Sequence, residues 1–144
     1  GGGLALSELT EIAGLPGVGK TQLAMQLCAD SRLPAKYGGV EGCAVVIDAE
    51  GSWSSAAGQD RLWSIAVALV EHVKSNASRK LATRKAREGA GANVNEDEMA
   101  SLVPSWLTPE YILEGIHIFR VHDEASQTCT LYNLPNFLLE LEQK

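Results

Sequence analysis

The feature that most restricts how this chain folds is a glycine-rich segment at residues 14–22, which reads GLPGVGKTQ. It satisfies the spacing G-x-x-x-x-G-K-[ST] of a phosphate-binding P-loop. Residues 10–13, an apolar-polar stretch, predict a short strand before it. Residues 20–29 contain no Gly or Pro and are mostly strong helix formers, so they predict a helix after it. Strand, loop and helix in this order are the context that the motif requires.

The residue types in this loop fit phosphate chemistry. Glycines let successive backbone N–H groups turn towards an anion, and the following helix adds the partial positive charge of its N-terminus. Lys20 is predicted to act on the β- and γ-phosphates, and the Thr21 hydroxyl to ligate Mg²⁺. ATP and Mg²⁺ are therefore the predicted cofactors. The predicted nucleotide contacts in the loop are Gly14, Leu15, Pro16, Gly17, Val18, Gly19, Lys20, Thr21 and Gln22.

A second candidate site follows the apolar run at residues 43–47, which is typical of a parallel strand covered on both faces. Asp48 and Glu50 come just after this strand, at the edge where open α/β sheets bind their ligands. Two roles are open for these carboxylates. Glu50 would orient and polarise the attacking water, or Asp48 would hold Mg²⁺ through water as a Walker-B carboxylate. The first role is favoured for Glu50.

The remaining pattern predicts an α/β fold with a parallel sheet and flanking helices. A third strand is expected at residues 116–121, and a closing helical segment at residues 126–142 is expected to kink or divide into two helices at Pro135. No strand follows this segment, so residues 1–144 are expected to be the N-terminal portion of an ATPase core that is incomplete at its C-terminus. An amphipathic helix is predicted from the apolar stripe of Leu62, Ile65, Ala66, Leu69, Val70 and Val73.

A basic segment lies in the middle of the chain. Residues 74–87 hold six of the twelve Lys and Arg residues, and a Gly/Ala-rich run and an acidic run follow. Residues 74–106 are therefore predicted to form a flexible, exposed insertion. A solvated helix end followed by a linker is favoured here over a DNA-binding patch, because no aromatic residues are interleaved for base stacking.

Composition limits the class of protein. A chain of 144 residues, 45% of them hydrophobic, is enough for one globular core. The net charge of −6 argues against a surface built throughout to neutralise phosphate backbones. The three cysteines include no C-x-x-C pair, so reduced thiols are expected rather than a disulfide framework or a zinc site. No apolar run is long enough to predict a membrane span.

Two motifs together resemble the RecA/RadA recombinases of eukaryotes and archaea, namely GLPGVGKTQ at residues 14–22 and IDAEGS at residues 47–52. The later run FRVHDEASQTCTLYNLPNFL looks closest to the C paralogue of the eukaryotic recombinase. The resemblance implies a RecA-like P-loop NTPase fold, with Glu50 as the catalytic glutamate beside Lys20. It also matches Arg61, across a gap, with an arginine that lies near the adenine in the family.

The same resemblance implies what the complete protein does. It implies DNA-dependent ATP hydrolysis, assembly with other recombinase paralogues and with the recombinase filament on single-stranded DNA, and homologous-recombination repair of double-strand breaks in the nucleus. The family's Walker-B strand and DNA-binding loops are not recognisable in this chain, so the chain alone is expected to hydrolyse ATP weakly or not at all. Two alternatives stay open: a nucleotide-dependent scaffold without turnover, and a small P-loop phosphotransferase.

Overall fold

The structure, a computed structural model, describes residues 4–5, 7–87 and 102–143. Helices and strands alternate along most of the chain, and a short 3₁₀ helix precedes the first strand. In chain order the elements are α1 (Lys20–Ser31), the 3₁₀ helix (Ala35–Tyr37), β1 (Ala44–Asp48), α2 (Ala56–Arg87), α3 (Pro109–Glu114), β2 (Ile116–Arg120) and α4 (Glu124–Glu142).

The two strands form a parallel pair, with Ala44 opposite Ile116 and Asp48 opposite Arg120. A parallel pair needs a long crossover connection, and here α2 and α3 lie within that connection. Both carboxyl ends therefore meet at one edge of the sheet, where Asp48 and Arg120 are neighbours. The predicted fold class, an α/β fold with a parallel sheet and flanking helices, is confirmed.

The main core lies on one face of this sheet. The six apolar residues predicted to line one side of α2 are all buried, which confirms the amphipathic helix. They pack with Met25 and Ala29 of α1 and Ile112 of α3, while Ala44 and Val46 of β1 cover the cluster from the sheet. Side chains alternate between the two faces of a strand, so every second residue of β1 faces this core. The core thus fixes α1 against the sheet.

The opposite face of the sheet is covered by α4 through an aromatic cluster. The ring of Phe137 meets the rings of His117 and Phe119 edge-on, at 5.1 Å between centroids in both cases. This helix is one continuous element through Pro135. The predicted division into two short helices is therefore wrong, because the hydrogen bonds of the flanking turns continue the helix past the N–H that proline lacks. The alternative, a kink at Pro135, stays a prediction.

The structure also differs from the expected elements elsewhere. Residues 10–13 are exposed and form no strand, since both described strands pair only with each other and a strand without a partner is not stable. Residues 74–87, the start of the predicted insertion, continue α2, which agrees with the helix end that was favoured for them and with their helix-forming composition. Near the C-terminal end of the predicted insertion, Val103 and Leu107 are buried in the core. Residues 88–101 lie outside the described residues.

No helix in the described part of the chain is long and apolar enough to cross a membrane.

Candidate functional site

The segment predicted to bind phosphate is an exposed loop that leads directly into α1. Gly17 and Gly19 have φ angles of 82° and 96°, in the left-handed region that glycine adopts without steric cost. A Cβ atom at either position would meet nothing within 4 Å, so these glycines are required by backbone conformation and the space beside them is open. At Gly14 the reason is space, because a Cβ there would lie 3.0 Å from Cγ2 of Val18.

The first turn of α1 adds positive potential to this loop. Gly19 is the N-cap, and the first helical hydrogen bond runs from the N–H of Leu23 to the carbonyl of Gly19 at 2.9 Å. The N–H groups that precede this bond have no acceptor within the helix, and the helix dipole places partial positive charge at the same end. Thr21 is half-buried in this turn and Gln22 is exposed. A loop and helix end of this kind can bind an anion.

The Lys20 ammonium lies over the loop. Its Nζ donates hydrogen bonds to the carbonyl oxygens of Gly14, at 2.8 Å, and Leu15, at 3.0 Å. These contacts fold the lysine back across the segment that was predicted to bind phosphate. The predicted neighbourhood of ammonium, glycine loop and helix N-terminus is therefore present. Phosphate oxygens would compete with the two carbonyls for the same donor, and a charged acceptor forms the stronger hydrogen bond.

Asp48 organises the turn that follows β1. Its side chain is only 3% exposed and accepts four hydrogen bonds. Oδ1 accepts from the N–H of Gly51 at 2.8 Å, while Oδ2 accepts from the N–H groups of Trp53 and Ser54 and from the Ser54 hydroxyl, at 3.1, 3.0 and 2.8 Å. Burial by itself raises the pKa of Asp48, but the hydrogen bonds from Ser54, Gly51 and Trp53 outweigh it and leave this pKa below its ordinary value.

This arrangement gives Asp48 a structural role in the turn, and the water-mediated Mg²⁺ contact considered for it from the sequence stays a prediction. Its carboxylate holds the turn together and thereby fixes the backbone on both sides of Glu50. Glu50 itself is exposed at the carboxyl edge of the sheet, as the sequence predicted for a residue that acts on a ligand. Gly51 adopts a φ of 80°, which favours glycine at this position.

Arg120 is a residue of this edge that the sequence did not reveal. Its Nη1 donates to the carbonyl oxygens of Asp48 and Val121, at 2.7 Å each, and so joins the carboxyl ends of the two strands. A Cβ atom on Gly51 would lie 3.1 to 3.2 Å from the Arg120 guanidinium, so this group lies directly against the turn. Only the position of Arg120 at the end of a strand could have indicated this role.

The predicted site residues thus lie in three places: the glycine loop with the start of α1, the turn after β1, and one position on α2. The glycine loop and Lys20 form the start of α1, and Glu50 belongs to the turn after β1. The two elements are packed together through the shared core. Arg61 is exposed in the second turn of α2. Its proposed contact with the adenine stays a prediction.

Replacing Asp48 with asparagine is expected to lower the free energy of unfolding by about 1 to 3 kcal/mol. The reason is that both carboxylate oxygens accept N–H donors, so the amide –NH₂ would point at one of these donors whichever way it is oriented. Chemical denaturation of the wild type and the variant measures the difference. Asp60→Asn, an exposed change on α2, is the matched control, and equal stability of all three proteins would contradict the role of Asp48.

The pH dependence of this difference has a definite sign. The pKa of Asp48 is lower in the folded protein than in the unfolded chain, where it lies near its ordinary value. The stabilisation is therefore complete above the unfolded pKa, about 4, and is lost as the pH falls through the folded pKa. Wild type and Asp48→Asn should accordingly converge in stability under acidic conditions.

Comparison with known proteins bears directly on this glycine loop and carboxylate turn. A model of the family described as Rad51 matches residues 1–89, which include both units. This chain belongs to the Rad51 family. The predicted membership of the RecA/RadA recombinases, with its resemblance to the C paralogue, is confirmed.

Individual relatives agree with this placement. The chain is 39% identical to DNA repair protein RAD51 homolog 3 of Cricetulus griseus, over 96% of this chain and 32% of that protein. It is 32% identical to the protein of the same name from Dictyostelium discoideum, over 95% of this chain and 30% of that protein. It is also 29% identical to the DNA repair and recombination protein RadA of Halobacterium salinarum, over 81% of this chain and 31% of that protein. The chain thus spans about a third of the length of these curated relatives.

Proposed function

We propose that this chain is the nucleotide-binding portion of a recombinase paralogue, a DNA-dependent ATPase of homologous-recombination repair. One observation carries the proposal: in a member of the Rad51 family, the Lys20 ammonium lies over a loop whose Gly17 and Gly19 adopt left-handed conformations immediately before a helix. The space beside these glycines is open, so phosphate oxygens can approach the backbone of the loop.

Each residue of the site then has a defined task. ATP with Mg²⁺ supplies a phosphoanhydride bond that water can cleave. The loop amides hold phosphate oxygens, and the Lys20 ammonium exchanges its two carbonyl acceptors for a phosphate oxygen. The Thr21 hydroxyl is the proposed protein ligand of Mg²⁺, because a small neutral oxygen donor suits this hard cation. Arg61 is proposed to lie near the adenine.

The proposed work of the carboxylate turn is to activate water. Glu50, exposed at the sheet edge, accepts a hydrogen bond from the attacking water and polarises it. Asp48 and Arg120 position Glu50 from below, through the four hydrogen bonds of the carboxylate and the contact of the guanidinium with Gly51. In this proposal Thr21 binds Mg²⁺ and Glu50 contacts the water. Asp48 acts on the water only through the turn that it holds.

The proposed biological setting follows from the relatives. RAD51 homolog 3 and RadA are named as DNA repair proteins, and XRCC3 of Mus musculus, 41% identical over 56% of this chain and 22% of its own length, carries the same description. For the complete protein we therefore propose single-stranded DNA, other recombinase paralogues and the recombinase filament as partners, and the nucleus as its location. Membership of the Rad51 family favours this role over the small phosphotransferase that the P-loop alone left open.

Phosphate release by the full-length protein, with and without single-stranded DNA, tests the proposal. Release is expected to rise several-fold when DNA is added, because the family role couples hydrolysis to assembly on DNA. ATP binding without DNA-stimulated release would indicate the nucleotide-dependent scaffold instead. Appearance of a phosphorylated small molecule in place of free phosphate would replace the recombinase by a phosphotransferase.

A further inference from the structure

A groove far along α2 from the phosphate loop is lined by apolar and basic side chains together. It lies between the 3₁₀ helix and the second half of α2, and its volume is about 290 Å³. Aliphatic groups form much of its lining, while Lys36 and Lys80 add positive charge. The apolar side chains are Val73, Ala77, Leu81 and Leu102.

Lys80 connects this groove to two further depressions. It also lines a second cavity of about 570 Å³ that extends along α2 past His72 and Asn76. A third depression contains Lys80 with Arg79 and Arg87. The three depressions adjoin one another at this exposed lysine, and we call them together the α2 groove. An occupant that extends from one of these depressions into another passes Lys80.

The charge of the α2 groove is opposite to that of the whole chain. Its three cavities are lined by five basic side chains and one carboxylate, that of Asp30, in a chain whose net charge is −6; the basic residues are Lys36, Arg79, Lys80, Arg84 and Arg87. Arg79 and Arg87 are eight residues apart, about two helical turns, and therefore lie on the same side of α2 as each other. The groove attracts negatively charged groups while the rest of the protein carries excess negative charge.

We infer that the α2 groove binds an acidic protein segment that carries one large apolar side chain. The aliphatic lining can bury an apolar side chain as an anchor, and Lys36 and Lys80 can pair with carboxylates beside it. A cavity of about 290 Å³ holds one such anchor, and the adjoining cavities accommodate the chain on either side. An amphipathic acidic segment matches both properties of the surface.

The same contacts disfavour nucleic acid as the occupant. Single-stranded nucleic acid binds through aromatic faces that stack on its bases as well as through cations. Tyr37 is the aromatic residue among those lining the 290 Å³ cavity, and Lys36 Nζ already lies 4.7 Å from its ring centroid. Its hydroxyl donates to the carbonyl of Leu102, which fixes the ring in the wall. The Tyr37 ring thus forms part of the groove wall and is not free to stack on a base.

A labelled synthetic peptide tests this inference. The probe is a glutamate-rich dodecapeptide with one central phenylalanine, titrated with the full-length protein and followed by fluorescence anisotropy. Replacing the phenylalanine with alanine, or the glutamates with glutamine, should each weaken binding about tenfold or more, because anchor and charge both contribute. Lys80→Glu should weaken the original peptide by a similar factor.

Matched variants separate the groove from general electrostatics. Lys74→Glu makes the same charge change at an exposed position of α2 outside the groove and should alter affinity by less than about threefold. Lys80→Gln, which removes the charge but keeps a polar side chain, is the milder variant if Lys80→Glu lowers thermal stability. It should still weaken binding measurably while leaving the thermal midpoint unchanged.

Three results would overturn the inference. The first is failure of the peptide to bind at concentrations up to about 1 mM. The second is an equal loss in Lys74→Glu and Lys80→Glu, which would show only diffuse attraction. The third is binding of labelled oligothymidylate that depends on Lys80 while peptide binding does not, which would make nucleic acid the ligand. Lys20 and Glu50 do not line the groove, so none of these results depends on ATP binding or hydrolysis.

Discussion

Replacing Lys20 with alanine is expected to weaken ATP binding about 100-fold or more. Two carbonyl hydrogen bonds hold the Nζ group over the glycine loop, so the ammonium already lies beside the segment that is proposed to bind the terminal phosphates. Hydrogen bonds from a cation to a charged acceptor are among the strongest in proteins, and alanine supplies none. Titration of the full-length protein with a fluorescent ATP analogue measures the loss.

The structure provides the control for this variant. The carbonyls of Gly14 and Leu15 belong to an exposed loop, so water can replace the lysine and stability should change by less than about 1 kcal/mol. Lys74→Ala removes an equally positive but distant side chain and should leave nucleotide affinity unchanged. Wild-type affinity in the folded Lys20→Ala protein would exclude this ammonium, and with it the proposed site, from nucleotide binding.

Replacing Glu50 with glutamine is expected to reduce hydrolysis by the full-length protein about 100-fold or more while ATP affinity changes less than about threefold. The amide keeps the size of the side chain and cannot act as a base, whereas the phosphate loop is untouched. Single-turnover phosphate release on DNA gives the rate, and the fluorescent analogue gives the affinity.

The position of Glu50 on a turn held by other residues makes this test sharp. The turn depends on Asp48 and on Gly51 rather than on the Glu50 carboxylate, so the variant should fold like the wild type. Glu71→Gln, an exposed change on α2, is the matched control and should retain full turnover. Full turnover in Glu50→Gln would assign the water to another residue.

Local features of this chain were predictable from its sequence, and features that depend on distant contacts were not. The glycine loop, the helix after it and the buried stripe of α2 were all predicted from spacing and periodicity. The strand expected at residues 10–13 and the division into two helices considered at Pro135 are absent. A strand requires a neighbour to pair with, and the effect of one proline depends on how well the rest of its helix is supported.

Asp48 illustrates the same limit within the candidate site. Its place at the end of an apolar strand predicts a residue near a ligand, and it does lie at that edge. Whether a carboxylate there binds a metal through water or accepts backbone N–H groups depends on how the next six residues turn. In the structure they turn back towards it, and its lone pairs are directed to Gly51, Trp53 and Ser54.

The sequence by itself determined the glycine loop, the helix after it and the family to which the chain belongs. These features are local, because glycine conformation, helix propensity and motif spacing act over a few residues. Only the tertiary structure decided that Arg120 would reach the carbonyl of Asp48, 72 residues away, and that Lys80 would line a groove with Lys36. Such contacts depend on strand register and helix packing, which the whole core fixes at once.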